Sequence, residues 1–205
     1  MNFTAQPPRI TLDFLPTIAV IRFDRPAERN KLSTQMLGEL EIAVSRVERD
    51  ANVRAVVFTG TEDVFASGAD ISELQRLTPE SAHAFARRGQ NLFRRIARSS
   101  RLTIAAINGY CIGGGLDLAL ACHLRFAAPR ATFAHPGARL GIITGWSGTQ
   151  RLPRLIGQSR ALEMFLTSRR LSSAEALNWG LVHRVCGDVY GEAVSEAGRR
   201  ASAFV

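Results

Sequence analysis

The fold of this chain is decided by the stretch Gly113-Gly114-Gly115-Leu116-Asp117-Leu118-Ala119-Leu120. The apolar residues ahead of it, Leu102 to Ile107, predict a β-strand. Together they indicate a strand, a tight glycine turn and then a helix that is apolar on nearly every face. Glycines at a helix start let a ligand approach backbone N–H groups that lack a partner inside the helix. The helix dipole favours negative charge at the same place.

Asp117 is the one carboxylate in this apolar helix. An unpaired charge is costly to bury, so Asp117 is either a functional acid or a carboxyl group whose burial lowers the stability of the fold. The alternative is a glycine-lined packing contact in which Asp117 is solvated or caps the helix locally. The stretch by itself leaves both interpretations open.

A second segment of the same kind lies earlier in the chain. Residues 64–71, Val-Phe-Ala-Ser-Gly-Ala-Asp-Ile, form a predicted loop of small residues that follows the apolar strand 54–60 and leads into a helix. Two such loops could direct two backbone N–H groups at one oxygen atom. That arrangement is an oxyanion hole, and each of its donors is worth about 3–4 kcal/mol in other enzymes.

These two segments, in this order, resemble the enoyl-CoA hydratase/isomerase family, also called the crotonase family. Further stretches that fit the same pattern are residues 21–26 with 30–32, 107–109, 140–142, 148–154 and 174–182. The resemblance runs from about Ile10 to about Val185 and implies an acyl-CoA enzyme.

The remaining chain alternates strand and helix signals, which indicates an α/β layered domain. Predicted strands are 17–23, 54–59, 102–107, 123–128 and 132–134; predicted helices are 33–50, 81–98, 114–122, 149–156, 160–166 and 173–179. Ser33 is the expected N-cap of the first helix, and Thr78, followed by Pro79, is the expected N-cap of the helix that carries the arginines. The resemblance refines this prediction to a crotonase-like spiral of ββα units, a single domain over residues 1–205 that forms homotrimers or hexamers. It also implies that the family's usual C-terminal helices are absent, which puts those subunit contacts in doubt.

The resemblance also assigns site residues. It implies that the backbone N–H groups of Ala69 and Gly114 hold the thioester oxygen and that Asp117 is the proton carrier. No metal and no tightly bound cofactor are implied, since coenzyme A enters as part of the substrate. The residues implied to bind coenzyme A are Arg29, Lys31, Ala66, Ala69, Asp70 and Ile71.

One departure from the family pattern bears on the reaction. Hydratases of this family use two glutamates; Asp117 occupies the first position, and Gly137 stands where the second is expected. His135 could titrate near neutral pH or be an ordinary packed histidine. Trp146, where the family usually has a small residue, could form a wall of the acyl pocket or belong to the core.

Composition and charge limit the classes of partner that this chain can bind. A hydrophobic content of 46% and a net charge of +8 indicate a soluble globular protein that attracts anions. The arginines between residues 87 and 101 lie on a predicted helix, where solvated surface, attraction of coenzyme A phosphates and RNA binding are the competing interpretations. No long apolar run predicts a membrane span. Three cysteines without paired spacing favour the cytoplasm, and Cys111 is interpreted as a buried apolar residue rather than a nucleophile.

The leading hypothesis is therefore an enzyme of the enoyl-CoA hydratase/isomerase type that works through a thioester enolate. Because Gly137 removes one acid, an isomerase, a decarboxylase or another lyase fits the residues equally well. A hypothesis of a different class is a non-catalytic protein that binds acyl-CoA or, less in keeping with the sequence, RNA.

Overall fold

The computed structural model describes residues 9–202, whose strands form two sheets. The strands are β1 (Ile10–Phe14), β2 (Ile18–Phe23), β3 (Ala55–Thr59), β4 (Val64–Ala66), β5 (Leu102–Ile107), β6 (Tyr110–Ile112), β7 (Leu124–Ala127), β8 (Thr132–Ala134), β9 (Leu171–Ser172) and β10 (Arg184–Val185). The larger sheet has the order β1-β2-β3-β5-β7-β10, and the smaller has the order β4-β6-β8-β9. Pairing is parallel except between β1 and β2 and between β8 and β9.

Helices separate successive pairs of strands. They are α1 (Thr34–Arg49), α2 (Ile71–Leu74), α3 (Pro79–Ala97), α4 (Gly114–Ala121), α5 (Gly148–Ile156), α6 (Gln158–Thr167), α7 (Ser173–Asn178) and α8 (Val189–Ser202), with 3₁₀ helices at Pro26–Glu28 and Pro136–Leu140. The pairs β3–β4, β5–β6 and β7–β8 each give one strand to each sheet before a helical segment follows. This repetition is the predicted ββα spiral, and it brings the ends of β4, β6 and β8 side by side.

The larger sheet is buried on both faces, which explains its nearly unbroken apolar strands. In β3, Ala55 and Val57 face α8, where Ala193 and Ala197 are fully buried. The alternate residues of β3 face the main core, to which α1, α3 and α4 contribute. Because successive side chains of a strand point to opposite faces, β3 contributes residues to both hydrophobic cores.

The predicted starts of α1 and α3 are confirmed by their caps. Ser33 accepts a hydrogen bond from the N–H of Met36 at 3.2 Å, and Thr78 forms a reciprocal capping pair with Ser81. Part of the arginine excess on α3 is paired with α1: Arg88 contacts Glu41 at 2.9 Å and Arg95 contacts Glu48 at 2.6 Å.

The structure corrects the prediction of an uninterrupted loop at residues 64–71. Residues Val64–Ala66 form β4, which pairs with β6 in the smaller sheet. Strands of two or three residues are too short to show a period, and β6, β9 and β10 gave no clear signal in the sequence. The equally short β8 was predicted at 132–134.

Candidate active site

Two turns meet at the carboxyl ends of β4 and β6. Gly68 has φ of +93° and Gly113 has φ of +55°, values that an L side chain rarely adopts, so the backbone here depends on glycine. A β carbon placed on Gly68 would lie 2.9 Å from the amide nitrogen of Gly114, and one placed on Gly114 would lie 3.5 Å from the amide nitrogen of Ala69. The turns predicted to converge therefore contact each other through bare backbone.

The N–H groups of Ala69 and Gly114 have no backbone acceptor within residues 9–202. Ala69 pairs with Leu32 in a parallel bridge. The N–H of Leu32 donates to the carbonyl of Gly68 at 2.7 Å, and the N–H of Ala69 takes no part in this pairing. Gly114 is the first residue of α4, where an N–H has no partner inside the helix. Both donors are consequently available to a ligand.

These donors border a cavity of about 450 Å³. The volume falls in the range of small-molecule sites in proteins. The lining residues come from the two 3₁₀ helices and their flanks, both glycine turns, α2, α4 and the loop before α5. They are Glu28, Arg29, Lys31, Ser67, Gly68, Ala69, Asp70, Ile71, Leu74, Gly113, Gly114, Asp117, His135, Pro136, Gly137, Leu140, Ile142, Thr144 and Trp146.

Asp117 lines this cavity from the first turn of α4 and is fully buried. Its Oδ2 accepts a hydrogen bond from the hydroxyl of Thr144, while its Oδ1 has no hydrogen-bond partner. Burial raises the pKa of Asp117 to about 7, against the opposing effects of Thr144, Arg151 and the backbone at Trp146. A carboxyl group with this pKa can take up and release a proton near neutral pH.

His135 also lines the cavity, at the end of β8. Its side chain is buried, and Nε2 lies 3.4 Å from Oδ1 of Asp117 without forming a hydrogen bond. Burial lowers the pKa of His135 to about 4, so the imidazole is neutral at physiological pH. Phe165 of α6 packs on the ring, with centroids 5.1 Å apart.

The position expected to carry the second carboxylate is tightly enclosed by backbone. Gly137 lies in the 3₁₀ helix Pro136–Leu140 and receives a hydrogen bond at its carbonyl from the N–H of Ile142 at 3.0 Å. A β carbon on Gly137 would lie 2.6 Å from the carbonyl oxygen of Ile142. Any side chain at this position therefore requires the 141–143 loop to move.

Trp146 proves to be both core and cavity wall. It packs against Phe85 and Phe93, with ring centroids 5.2 Å and 5.6 Å away. The indole also lies between two glycines: a β carbon on either Gly89 of α3 or Gly114 of α4 would come within 2.4 Å of its ring atoms. The two interpretations left open by the sequence are compatible.

The residues predicted to bind coenzyme A are mostly, but not all, at the cavity. Arg29 is exposed and stacks on Tyr110, while Lys31 forms an ion pair with Asp70 at 2.9 Å. Ile71 lies at the start of α2 and is exposed. Ala66 is not among the lining residues, because it is fully buried in β4 beneath Gly115.

Thr144 is the site residue that the sequence did not single out. Nothing in its immediate neighbours marks it, and it meets Asp117 only because α5 packs against α4. Gly148 permits this contact, since a β carbon there would lie 2.0 Å from Oδ1 of Asp117.

The thiol of Cys111 is fully buried, and burial raises its pKa well above the usual range, which opposes a role as a nucleophile. Residues 9–202 contain no cluster of three or more metal-binding side chains. No helix among these residues is both long and apolar enough to cross a bilayer.

The fold and the site together define a two-sheet α/β domain with a ligand cavity at a pair of glycine turns. The family profile described as enoyl-CoA hydratase/isomerase matches residues 14–203. An enoyl-CoA hydratase from Bacillus anthracis has the same fold, with a TM-score of 0.90 at 36% identity, covering 95% of this chain and 77% of that one. The chain belongs to the enoyl-CoA hydratase/isomerase family.

Two curated relatives are similar to this chain over most of its length. The chain is 38% identical over 169 residues to a short-chain-enoyl-CoA hydratase of Clostridium acetobutylicum, across 82% of this chain and 65% of the relative. It is 40% identical over 177 residues to a crotonyl-CoA hydratase of Syntrophomonas wolfei, across 86% of this chain and 68% of the relative. The chain thus spans about two thirds of the length of these curated relatives.

Proposed function

We propose that this chain acts on enoyl-CoA thioesters and stabilises an enolate-like anion while Asp117 transfers a proton at the α carbon. The observation that supports this most directly is the pair of unused N–H groups, on Ala69 and Gly114, beside a cavity that Asp117 also lines. A thioester oxygen gains negative charge when the α carbon loses a proton or the β carbon is attacked. Two fixed donors lower both barriers.

The direction of the reaction that we propose is the addition of water to a short enoyl-CoA. The Clostridium acetobutylicum and Syntrophomonas wolfei relatives are named as short-chain-enoyl-CoA and crotonyl-CoA hydratases, which supports this choice. Trp146 is consistent with a short acyl group, because its indole fills the space beside Gly114. Arg29 and Lys31 supply positive charge for the phosphates of coenzyme A.

Double-bond isomerisation is the second candidate, and Gly137 favours it. A single carboxyl group can remove a proton from one carbon of an allylic system and return it to another, whereas hydration also requires activation of water. Three carboxylates line the cavity, Glu28, Asp70 and Asp117. Glu28 and Asp70 form ion pairs with Lys31, and Gly137 carries no side chain, so Asp117 is the fully buried carboxylate left for proton transfer. Crotonyl-CoA and 3-butenoyl-CoA therefore form an informative pair of substrates.

The test compares the wild-type chain with Asp117→Asn on a panel of acyl-CoA thioesters. We expect hydration of crotonyl-CoA that falls by about 10²- to 10⁴-fold in the variant, the usual contribution of a proton-transfer group. Asp13→Asn, an exposed carboxylate on β1, is the control and should leave the rate unchanged. Binding of thioesters without turnover would support a non-catalytic protein, and the absence of binding would contradict the proposal.

We also propose that the chain assembles as a homotrimer or hexamer. The support is the set of exposed apolar side chains near the cavity, Leu140, Ile142 and Ile143, together with Leu162 and Leu166 on α6. Nucleic acid is not a proposed partner, since α3 uses Arg88 and Arg95 in ion pairs with α1. RNA affinity that falls steeply with salt would contradict this view.

A further inference from the structure

Two buried polar atoms in the cavity wall face each other without a hydrogen bond. They are Oδ1 of Asp117 and Nε2 of His135, 3.4 Å apart, and neither has another partner within residues 9–202. Buried polar groups are nearly always hydrogen-bonded, and an exception requires an explanation, of which a catalytic role is one. Because these two unpartnered atoms are neighbours, a small change in side-chain orientation would let them form a hydrogen bond with each other.

The backbone holds these two side chains at a fixed separation. The N–H of Gly113 donates to the carbonyl of Ala134 at 2.8 Å, which joins the turn before α4 to the end of β8. Asp117 is anchored to the same turn, since its N–H donates to the carbonyl of Gly113 at 3.0 Å. His135 follows Ala134 directly, so a small rotation of either side chain, with no movement of the backbone, aligns the pair.

We propose that His135 is a positioning residue, whose Nε2–H donates a hydrogen bond to Oδ1 of the ionised Asp117 when the thioester is bound. Thr144 already donates to the other oxygen. With one donor on each oxygen the plane of the carboxylate is fixed, and its remaining lone pairs are directed at the substrate. This inference rests on the proposed role of Asp117 as the proton carrier, and it gives the imidazole a function where Gly137 removes a carboxylate.

The chemistry of the surroundings favours a neutral donor. Burial keeps the imidazole uncharged, and Phe165 packs on its ring. The charged group that acts on Asp117 is Arg151 of α5, which is half-buried and favours the ionised carboxylate. The thiol of Cys111 on β6 is neutral, because burial raises its pKa. Hydrogen bonds in catalytic sites are often long before the substrate binds and shorten in the complex.

The experiment uses three variants that differ in where a donor can reach. In His135→Gln the amide nitrogen occupies the place of Nε2; in His135→Asn it occupies the place of Nδ1 and falls short of Asp117. His135→Leu has no donor. The matched control is His83→Gln, an exposed histidine on α3. Each protein is assayed for exchange of the α protons of butyryl-CoA in D₂O across pH 5–9, and for its Kd for the same thioester.

We expect exchange by the wild-type chain to rise with pH through a midpoint near 7, since the ionised Asp117 is the base. His135→Gln should retain most of this rate and its midpoint. His135→Asn and His135→Leu should move the midpoint up by about one pH unit, so that exchange at pH 6 falls about tenfold while Kd is unchanged. If His135 had only a structural role, the pH profiles of His135→Gln and His135→Asn would not differ in this way.

Equal behaviour of Gln and Asn, or wild-type midpoints in all three variants, would overturn the proposal. A second readout needs no turnover: with butyryl-CoA bound, the pH titration of the ¹³Cγ resonance of Asp117 should shift upward in the Leu and Asn variants only. If the wild-type chain exchanges no protons but the Asp117 titration shifts in the Leu and Asn variants as expected, the positioning contact stands and the proposed function fails. An unshifted titration alongside normal exchange refutes the contact alone.

Discussion

At the scale of single residues, Asp117 is a buried carboxyl group whose ionised form the folded state holds at a cost. Burial raises its pKa from 3.8 to about 7, so the fold disfavours the ionised carboxylate. Below pH 3.8 the carboxyl is protonated in both folded and unfolded chains, and no penalty exists. As pH rises from 3.8 to about 7 the unfolded chain releases its proton first, and the free energy of unfolding falls.

We therefore predict that Asp117→Asn stabilises the protein at pH 8 while it removes activity. The shift corresponds to a gain of at most about 4 kcal/mol, at about 1.4 kcal/mol per pH unit. Asparagine preserves an acceptor for Thr144 and carries no charge to bury. Urea unfolding of both proteins between pH 4 and pH 8 measures the effect.

The pH dependence supplies the control for this prediction. The two proteins should differ least near pH 4, where the wild-type carboxyl is protonated in the folded state. A stability difference that is independent of pH would contradict the account, because it would show that the carboxylate carries no ionisation penalty.

At the scale of elements, the spacing of α3 and α4 depends on an indole ring between two glycines. Gly89 and Gly114 each leave room for Trp146, and a β carbon at either position would lie 2.4 Å from the ring. A buried core has no space to absorb this overlap, and overpacking of this kind costs about 1–3 kcal/mol. Steric contact with Trp146 therefore explains why Gly89 occupies the middle of α3, although glycine is a poor helix former.

We predict that Gly89→Ala destabilises the protein by about 1–3 kcal/mol, despite the better helix propensity of alanine. The matched control is Gly198→Ala on α8, where the nearest atom, Cδ1 of Ile18, is 3.9 Å from the new β carbon. That variant should gain about 0.5–1 kcal/mol. In a double-mutant cycle, Trp146→Leu should relieve the cost of Gly89→Ala, measured by urea unfolding. Additive effects would exclude the steric explanation.

The same elements show what the sequence could and could not predict. The long buried strands 54–59 and 102–107 and the caps at Ser33 and Thr78 were predicted correctly, because burial and capping leave local patterns. The contact of Asp117 with Thr144 was not, since it joins residues 27 positions apart through helix packing. The role of Gly137 depends on the carbonyl of Ile142, which no pattern of side chains reveals.

At the scale of the whole molecule, apolar surface is concentrated on one side of the cavity. Ile143 is 64% exposed and Leu166 of α6 is 67% exposed, and α6 packs directly against the 3₁₀ helix that precedes Ile143. Scattered exposed apolar residues are normal, but a group on neighbouring elements is typical of a protein–protein interface.

We predict that this side of the molecule is buried between identical copies, and that Ile143→Glu dissociates them. A charge placed in an apolar interface loses its hydration without gaining a partner, which opposes association. Sedimentation velocity at several concentrations should show the wild-type chain as a trimer or hexamer and the variant at lower mass. The control is Ile42→Glu, since Ile42 on α1 is also 64% exposed but lies outside this group. A wild-type monomer, or equal dissociation by both variants, would show that the apolar group does not mediate assembly.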